Sequence, residues 1–457
     1  MARKIVKIFT VLTVIALCFT TAFTDANGLS CPEAPHSLAV VQYNSAKTYQ
    51  TVEGIGGFGF RNVNWADPST WWTDSWGDSV INDLGFTIIR NEWYPLQIEG
   101  EVQDSNWNVQ KPYIEKLHSL ARTSGQPLKQ IISIWSPPAY MKENHSTKNG
   151  GKLLPEYYDD FARWLVECID SYQSAGVDVY AISFQNEPAA IVPYNSCYYA
   201  PADYPKMVKV AGPIVKNAHP NVKLMGPEEQ TSQAWNWEKS YGKALLDDPE
   251  ALKWIDIIVL HPYTIETVYG PADPVIEAMQ FKQAYEKYKG AGKQIWYSED
   301  CGWYDNWLGG MLMAESIHNS FYYGNTSAWL HWVISGDETQ SWTGLTYFGE
   351  QKEKYYAVRH FSRYIRPGAV RIEASSTNPD LLVTAFKYKQ EKTLTIVLIN
   401  RSHNPMDIKL TGDIKTILNM ECSTAAAKAV SQGKQSSSKS KFILPPNSIT
   451  TLYGSIQ

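Results

Sequence analysis

Eight short apolar segments, most of them separated by stretches with helical periodicity, constrain the fold of this chain more than any other feature. They have the length and the β-branched content of buried strands. The segments lie at residues 53–59, 84–90, 129–135, 179–184, 222–226, 255–260, 294–299 and 327–333. Alternation of strands with helices predicts parallel β/α units, and eight such units predict an α/β protein built on a (β/α)8 TIM barrel.

The pattern changes after residue 365. Short β-rich runs separated by turns follow at residues 381–386, 394–399 and 449–453, and they predict an attached β-sandwich. Residues 432–441 are rich in Ser, Lys and Gln and predict an exposed loop. The predicted division of the chain is a signal peptide at 1–26, N-terminal strands joining the β-sandwich at 27–52, a catalytic barrel at 53–365 and the C-terminal β-sandwich at 366–457.

The first residues have the features of a secretory signal peptide. A basic start at residues 1–7 runs into an apolar stretch that is too short for a comfortable membrane span. We therefore expect a secreted monomer, extracellular or periplasmic, with no membrane partner after signal cleavage. Loss of Cys18 with the leader leaves an odd number of cysteines, so at least one thiol is expected to be free. They are Cys31, Cys168, Cys197, Cys301 and Cys422, and their pairing stays open.

Composition excludes some function classes and favours one. The formal net charge of −5 and the lack of a basic run argue against a nucleic-acid partner. No Cys/His spacing suits a metal site, so neither a metal nor a cofactor is predicted. Gly54, Gly56 and Gly59 fit the dinucleotide-binding pattern, but no helix follows them, which disfavours that interpretation. Most of the 17 Trp and 28 Tyr are expected in the core, but such an excess also fits a surface that stacks on sugar rings.

Two of the strand candidates end in a glutamate. The run at residues 179–184 leads into Gln185-Asn186-Glu187-Pro188, where the proline blocks continuation of the strand, and the run at 294–299 ends in Glu299. By itself, the first stretch is also compatible with a polar strand-to-helix turn. In a parallel barrel, however, catalytic groups collect at the carboxyl ends of the strands. A pair of carboxylates there is what glycoside hydrolysis requires.

Other strand candidates end in residues suited to such a site. Arg90 is a natural ionic partner for Glu299, and an ordinary structural ion pair is the alternative. Trp135 and Trp332 are candidate sugar platforms, although either could equally belong to the core. His261 alone would be interpreted as a buried, hydrogen-bonded histidine. The run at residues 222–226 ends near Glu228 and Glu229, to which the sequence gives no role.

Several motifs together resemble one enzyme family. They are Gly-Gly-Phe-Gly at 56–59, Ser-Pro-Pro at 136–138, Ile-Ser-Phe-Gln-Asn-Glu-Pro at 182–188, Trp-Tyr-Ser-Glu at 296–299 and the segment at 359–368 that ends in Arg-Pro-Gly. In these motifs the mature chain resembles glycoside hydrolase family 30, whose members are retaining enzymes with a β/α barrel and an attached β-domain. Residues 289–296 and 361–371 look most similar to the bacterial xylan-degrading branch.

The resemblance implies roles for the matching residues. Glu187 would be the general acid/base and Glu299 the nucleophile. Asn186 resembles the family asparagine that hydrogen-bonds the sugar 2-hydroxyl, although a turn role is the alternative. His261 and Tyr263 match family positions near the nucleophile. The implied activity is cleavage of β-1,4-xylosidic bonds in xylan or xylo-oligosaccharides, so the expected partner is a plant cell-wall polysaccharide or oligosaccharide.

One departure from the family pattern affects the substrate. The branch that recognises methylglucuronate side chains carries an arginine after the eighth strand. Here residues 333–339 supply Asp337 and Glu338 instead, which would repel a glucuronate carboxylate. Activity is therefore predicted not to depend on glucuronate. The alternatives are a β-1,6-galactanase or β-1,6-glucanase of the same family and, from another class, a non-catalytic carbohydrate-binding protein, which the presence of both glutamates disfavours.

Overall fold

The computed structural model describes residues 37–59, 68–70, 72–101, 104–230, 236–263, 274–302, 304–336 and 343–456. The predicted signal peptide, Cys31, Asp337 and Glu338 lie outside these residues, so the expectations attached to them stay predictions. Among the helices of the described ranges, none is both long enough and apolar enough to cross a bilayer.

Eight parallel strands of the described chain, β2 to β9, close a barrel in sequence order, which confirms the predicted TIM barrel. The strands of this half are β1 (Ser37–Thr51), β2 (Gly54–Phe58), β3 (Ile88–Glu92), β4 (Lys129–Ser133), β5 (Val179–Ser183), β6 (Lys223–Gln230), β7 (Ile257–His261), β8 (Gln294–Tyr297), β9 (Ala328–His331), β10 (Ser335–Gly336), β11 (Thr346–Tyr347) and β12 (Glu350–Gln351). Strands β10 to β12 form a small separate sheet that follows the last barrel strand.

Helices surround the barrel in the connections between strands. They are α1 (Asp74–Asp78), α2 (Asp104–Thr123), α3 (Tyr158–Ser174), α4 (Tyr204–Ala218), α5 (Tyr241–Leu246), α6 (Pro249–Leu252), α7 (Pro274–Tyr288), α8 (Trp307–Tyr322) and α9 (Glu353–Ser362). A π-helical turn at Ser79–Asp83 extends α1, and short 3-10 turns lie at Pro68–Thr70, Ala139–Met141, Pro155–Tyr157, Trp237–Lys239 and Lys289–Ala291. Because the helices cover the outer face, the strands are buried on both sides, which explains their nearly all-apolar sequences.

The barrel interior is filled by side chains and not by a ligand channel. One buried layer consists of Ile88, Ile131, Ala181, Met225, Ile257, Val259, Trp296, Ala328 and Leu330. The glycines of β2 belong to this packing. A Cβ atom on Gly56 would lie 1.9 Å from the carbonyl oxygen of Ile88, so only glycine fits there. Close strand packing therefore accounts for the glycine pattern that resembles a nucleotide-binding motif.

The second half of the chain forms the predicted β-sandwich. Its strands are β13 (Val370–Ser376), β14 (Leu381–Tyr388), β15 (Thr393–Asn400), β16 (Met406–Gly412), β17 (Ile417–Ser423), β18 (Val430–Ser436), β19 (Lys439–Leu444) and β20 (Ser448–Ser455). The hydrogen-bonded order is β18-β17-β20-β15-β14-β13-β1-β16-β19. The N-terminal strand β1 thus lies between β13, to which it is antiparallel, and β16, to which it is parallel.

The prediction of a loop at residues 432–441 is wrong, because most of this segment lies in strands β18 and β19. These strands occupy the two ends of the sheet order, where each has only one neighbour. An edge strand in contact with solvent tolerates Ser, Lys and Gln, and charge on an edge also discourages pairing with another molecule. The prediction of a free thiol holds for the described cysteines, since Cys168, Cys197, Cys301 and Cys422 form no disulfide.

Candidate active site

Glu187 follows β5 in an unusual backbone conformation. Its φ is +46°, in the left-handed region that non-glycine residues rarely adopt. The conformation is held from both sides: the Asn186 N–H donates to the Ile134 carbonyl oxygen at 2.6 Å, and the Glu187 N–H donates to the Glu228 carbonyl oxygen at 3.1 Å. Such conformations are retained where neighbouring structure enforces them, and they cluster at functional sites.

Barrel closure brings Glu187, Glu299 and His261 together, although they are far apart in the sequence. His261 Nδ1 lies 3.0 Å from Glu187 Oε1 and 3.9 Å from Glu299 Oε2. The nearest oxygens of the two carboxyl groups and the imidazole nitrogen all lie within 4.8 Å of one another. The three predicted site residues therefore form one cluster at the carboxyl ends of β5, β7 and β8.

Arg90 links this cluster to the rest of the site; it lies in the middle of β3, which continues to Glu92 and does not end at Arg90 as predicted. Its side chain is fully buried. One terminal nitrogen donates to Glu299 Oε2 at 2.7 Å, the other donates to Asn186 Oδ1 at 2.6 Å, and Nε donates to Ser133 Oγ at 3.0 Å. Because a guanidinium can only donate, the Asn186 oxygen must face Arg90 and its amide nitrogen is directed elsewhere. Arg90 thus fixes the orientation of two predicted site residues.

Replacing Arg90 by methionine is expected to destabilise the fold strongly. Removal of one partner from a buried ion pair leaves an uncompensated charge, which costs about 3–5 kcal/mol. Here two buried carboxylates would lose their cation, since Glu228 lies 3.3 Å from the second terminal nitrogen. Chemical denaturation of both proteins measures the change in the free energy of unfolding.

The matched control for this experiment is Arg163→Met. Arg163 pairs with Asp160 at 2.8 Å on an exposed helix face, where both side chains are largely in water. Exposed pairs of this kind contribute little, so the control should unfold close to the wild type. Equal destabilisation in the two variants would contradict the importance of the buried pair.

Tyr263 completes the contacts of Glu299. Its hydroxyl donates to Glu299 Oε1 at 3.2 Å, so each carboxyl oxygen of Glu299 receives one hydrogen bond. Burial raises the pKa of Tyr263 well above its usual value, which keeps the phenol protonated as a donor. Both donors require an acceptor, and an ionised carboxylate meets that requirement at both oxygens.

The titratable groups of the cluster influence one another. Burial raises the pKa of Glu299 above its usual value, against the opposing charges of His261 and Arg90. Burial acts in the same direction on Glu187, but the hydrogen bond and charge of His261, together with a hydrogen bond from Gln230 and the charge of Arg90, outweigh it and lower the pKa of Glu187. Burial lowers the pKa of His261, yet the charges of Glu299 and Glu187 more than compensate and raise it. These opposite shifts favour an ionised Glu187 beside a protonated imidazole in the free protein.

Three aromatic rings form one wall of the site. Phe58, Trp135 and Trp332 have centroids 4.4–5.8 Å apart, and the Arg90 guanidinium lies 4.7 Å from the Trp135 ring. Trp135 is 4% exposed, so its ring contacts Arg90 more than it faces open space. Trp332 is partly exposed and retains a surface for a ligand. The platform roles of both tryptophans stay predictions.

The cluster of Glu187, His261 and Glu299 also has donor types found in metal sites. Its donors are already bonded to protein partners, however. His261 Nδ1 contacts Glu187 directly, and Glu299 accepts hydrogen bonds from Arg90 and Tyr263. A cation would have to displace the guanidinium charge and these bonds, so the donor set fits an acid–base site better than a metal site.

The sequence analysis missed a set of polar groups beneath these residues. Glu228 is fully buried and accepts hydrogen bonds from the hydroxyls of Ser133, Ser183 and Ser298. The position of Glu228 near a strand end is visible in the sequence. The serines, in contrast, are single small polar residues at the ends of otherwise apolar runs, which is no distinctive signal.

Known proteins are similar to this chain in sequence and in fold. The chain is 28% identical over 404 residues to glucuronoxylanase XynC of Bacillus subtilis (strain 168). The aligned region covers 85% of this chain and 84% of the relative. A solved family 30 subfamily 8 xylanase from Clostridium acetobutylicum has a TM-score of 0.75 at 22% identity, with 90% of this chain and 98% of that chain covered. A solved endo-β-1,6-glucanase has a TM-score of 0.70 at 19% identity, with 92% and 94% covered.

Family models cover both halves of the chain. The model of the glycosyl hydrolase family 30 TIM-barrel domain matches residues 89–335. The model of the family 30 β-sandwich domain matches residues 368–452. The first match runs from within β3 to β10 and so contains most of the barrel, and the second contains β13 to β19 and most of β20. The chain therefore belongs to glycoside hydrolase family 30.

Proposed function

We propose that this glycoside hydrolase is a secreted retaining enzyme that cleaves β-1,4-xylosidic bonds in xylan or xylo-oligosaccharides. The observation that carries the proposal is the short separation of two carboxylates. The nearest oxygens of Glu187 and Glu299 lie within 4.8 Å of each other. Retaining enzymes hold their two carboxyl groups roughly 5–5.5 Å apart, whereas inverting enzymes need roughly 6.5–9.5 Å to admit a water molecule.

In the first step, we assign Glu299 as nucleophile and Glu187 as acid. A carboxylate oxygen of Glu299 bonds to the anomeric carbon while the bond to the glycosidic oxygen breaks. Glu187 gives its proton to that oxygen, and the leaving sugar departs as an alcohol. The product on the protein is an ester between Glu299 and the remaining sugar. Positive charge develops on the sugar ring in the transition state, and the carboxylate of Glu299 stabilises it.

The lowered pKa of Glu187 requires an explanation in this mechanism, because an acid must hold a proton. His261 supplies it: its Nδ1 lies 3.0 Å from Glu187 Oε1, and the raised pKa of the imidazole favours a proton on Nδ1 in the free protein. A bound sugar displaces water, and loss of solvation disfavours two separated charges. Transfer of the proton from Nδ1 to Oε1 then gives a neutral imidazole beside a neutral carboxylic acid, which is ready to donate.

The raised pKa of Glu299 acts against a nucleophile, because it favours protonation. Two donors oppose that tendency. The Arg90 guanidinium at 2.7 Å supplies a positive charge, and the Tyr263 hydroxyl at 3.2 Å supplies a second hydrogen bond. A proton on either oxygen of Glu299 would displace the donor that bonds to that oxygen, so the two contacts stabilise the ionised form that attacks the sugar.

In the second step, water replaces the departed sugar. The ionised Glu187 takes a proton from the water molecule, and the water oxygen attacks the anomeric carbon of the ester. Glu299 leaves as a carboxylate, and two inversions give net retention. Asn186 is suited to hold the sugar during both steps, because Arg90 occupies its oxygen and leaves the amide nitrogen free to donate to a sugar hydroxyl.

A panel of polysaccharides tests the substrate assignment. Release of reducing ends from linear xylan, glucuronoxylan, β-1,6-galactan and β-1,6-glucan separates xylanase activity from the alternatives in the same family. Proton NMR of the first product formed reports whether the β configuration is retained. Retained xylo-oligosaccharides support the proposal. Cleavage of only a β-1,6-linked substrate would reject the xylan assignment, and binding without cleavage would reject catalysis.

Linear xylan is expected to be cleaved at least as fast as glucuronoxylan. Arginine binds a carboxylate by paired, charge-assisted hydrogen bonds. Residues 333–347 contain no basic residue but include Asp337 and Glu338, which would repel a glucuronate. Initial rates on the two polymers, matched in xylose content, measure the preference. A rate at least tenfold higher on glucuronoxylan would contradict the prediction and would require a basic residue from another loop.

A further inference from the structure

Glu228 is a third carboxylate, below the two assigned to catalysis and inaccessible to substrate. It lies at the end of β6 with no exposed surface. Its Oε1 accepts from Ser133 Oγ at 3.0 Å and from Ser298 Oγ at 2.8 Å, and its Oε2 accepts from Ser183 Oγ at 2.8 Å. The Arg90 guanidinium lies 3.3 Å away. Groups from β3, β4, β5 and the end of β8 thus converge on one side chain.

The hydrogen bonds around Glu228 can run in only one direction. Arg90 can only donate, so Ser133 accepts from its Nε and must use its own hydrogen for Glu228. Ser298 likewise gives its single hydroxyl hydrogen to Glu228, and its oxygen is left as an acceptor. His261 Nε2 lies 3.1 Å from that oxygen. Nε2 must therefore carry a hydrogen and donate it to Ser298.

The position of that hydrogen determines what the other side of the ring can do. With a hydrogen on Nε2, the contact between Nδ1 and Glu187 contains a single proton, held by one partner or the other. In the opposite tautomer, Nδ1 would carry a hydrogen permanently and Nε2 would need the hydroxyl hydrogen of Ser298. Ser298 already donates that hydrogen to Glu228, which excludes this tautomer.

We propose that Glu228 is a positioning residue, which fixes the Arg90 guanidinium and, through Ser298, sets the tautomer of His261. This inference rests on the proposed roles of the two catalytic glutamates. By fixing Arg90, Glu228 keeps a positive charge next to the nucleophile Glu299. By setting the tautomer of His261, it keeps one transferable proton between His261 Nδ1 and the acid Glu187. Glu228 touches neither substrate nor reacting atoms, so its effect on the reaction is entirely indirect.

A pH-dependent role must be separated from the influence of neighbouring charges. The titratable groups that face Glu228 or His261 are Arg90 on β3, Glu187 after β5, Tyr204 on α4, Tyr263 after β7 and Glu299 after β8. The test variants leave all of these in place. The backbone contact from the Glu187 N–H to the Glu228 carbonyl oxygen also survives a change of the Glu228 side chain.

Two variants and one control test the proposal. Glu228→Gln removes the charge and supplies a donor that allows Ser298 to reverse its hydrogen bond. Ser298→Ala keeps the buried carboxylate, but it removes one hydroxyl donor to Glu228 Oε1 and the acceptor for His261 Nε2. The control is Glu229→Gln, because Glu229 is the next residue and equally buried. Its side chain accepts from the Tyr288 hydroxyl at 2.6 Å and from two backbone N–H groups of α5, outside the active site.

Glu228→Gln and Ser298→Ala are both expected to weaken general acid catalysis by Glu187. Loss of general acid assistance costs roughly 10²-fold in kcat, and KM should change by less than about threefold because no ligand contact is removed. Without an acceptor at Nε2, the protonated form of His261 is less stable, so its pKa falls. The alkaline limb of the kcat/KM profile should then move to lower pH, by about one unit. Aryl glycosides with good leaving groups, which need no proton, should lose much less.

A measurement without substrate separates this inference from the proposed function. Nitrogen-15 NMR of labelled histidine distinguishes the two neutral tautomers and the protonated ring, and His261→Asn assigns the signal among the nine histidines of the chain. We expect hydrogen on Nε2 at every pH in the wild type, and loss of that preference in Glu228→Gln and Ser298→Ala. If the wild-type protein cleaves no polysaccharide, the proposed function fails, but the NMR measurement still determines the tautomer of His261.

The inference is overturned if both test variants behave like Glu229→Gln. An unchanged alkaline limb with lowered stability would make Glu228 a structural residue only. A wild-type spectrum with hydrogen fixed on Nδ1 would also reject it. If Glu228→Gln does not fold, Ser298→Ala decides the question by the same two measurements, because the buried carboxylate and its Arg90 contact remain in that variant.

Discussion

Replacing Glu299 by alanine is expected to abolish hydrolysis of every polysaccharide and aryl glycoside substrate. No covalent intermediate can form without the nucleophile, and loss of a nucleophile in covalent catalysis costs on the order of 10⁵-fold or more in kcat. The fold should persist, since Arg90 keeps Glu228 and Asn186 as partners. Release of xylose-containing products over long incubations measures the loss. Glu373→Ala, which removes a half-exposed carboxylate on the β-sandwich, is the control and should retain full activity.

Azide identifies the role of Glu299 independently of the size of the effect. In the space left by the missing carboxylate, azide can attack the anomeric carbon directly, with Glu187 still present to protonate the leaving group. One displacement gives a glycosyl azide of inverted configuration. A retained glycosyl azide from Glu299→Ala would contradict the assignment, because it would mean that a covalent intermediate still forms elsewhere.

Glu187→Ala is expected to show a loss that depends on the leaving group. General acid–base assistance contributes up to about 10⁴-fold, so hydrolysis of xylan, whose leaving group is a poor one, should fall by roughly 10³-fold. Aryl glycosides with good leaving groups need no proton for the first step and should still release the aryl alcohol. The ester on Glu299 then accumulates, because no base activates water. A burst of aryl alcohol followed by slow turnover would show that the ester on Glu299 accumulates.

Azide should rescue this variant with the opposite stereochemistry. It attacks the ester from the face that Glu187 occupied and gives a glycosyl azide of retained configuration. The combination of a burst and a retained azide product would establish Glu187 as the acid/base. If Glu187→Ala yields the inverted azide and Glu299→Ala the retained one, the two roles are exchanged. If the loss is equal for all leaving groups, Glu187 does not act as an acid.

The architecture could be predicted from local sequence to a large extent. Short apolar runs alternate with amphipathic stretches, and this alternation is a property of consecutive residues that needs no tertiary information. The runs at 179–184 and 294–299 correspond to β5 and β8, and each is followed by its glutamate at the carboxyl end. Prediction of the segment at 432–441 was wrong, because exposure of an edge strand gives it the composition of a loop.

Prediction of the candidate site was less complete. Arg90, Asn186, Glu187, His261 and Glu299 were selected by their positions at strand ends, and barrel closure brings them into one network. Contacts of individual atoms could not be predicted in this way. Trp135 lies against Arg90 and is nearly buried, while Trp332 is partly exposed, although both directly follow a barrel strand. Nothing in the sequence distinguishes the two rings, because their difference depends on neighbours from other strands.

The sequence by itself thus determined the strands and helices of the barrel, its closure and the pair of glutamates at strand ends, since periodicity and chain direction are local. Only the tertiary structure decided the pairing of β1 with β13 and β16, the distances within the site and the hydrogen-bond network of Glu228. These depend on which side chains meet across a barrel or sheet from distant parts of the chain. A buried serine has the same identity in any environment, and the direction of its hydrogen bond is set by its neighbours in space.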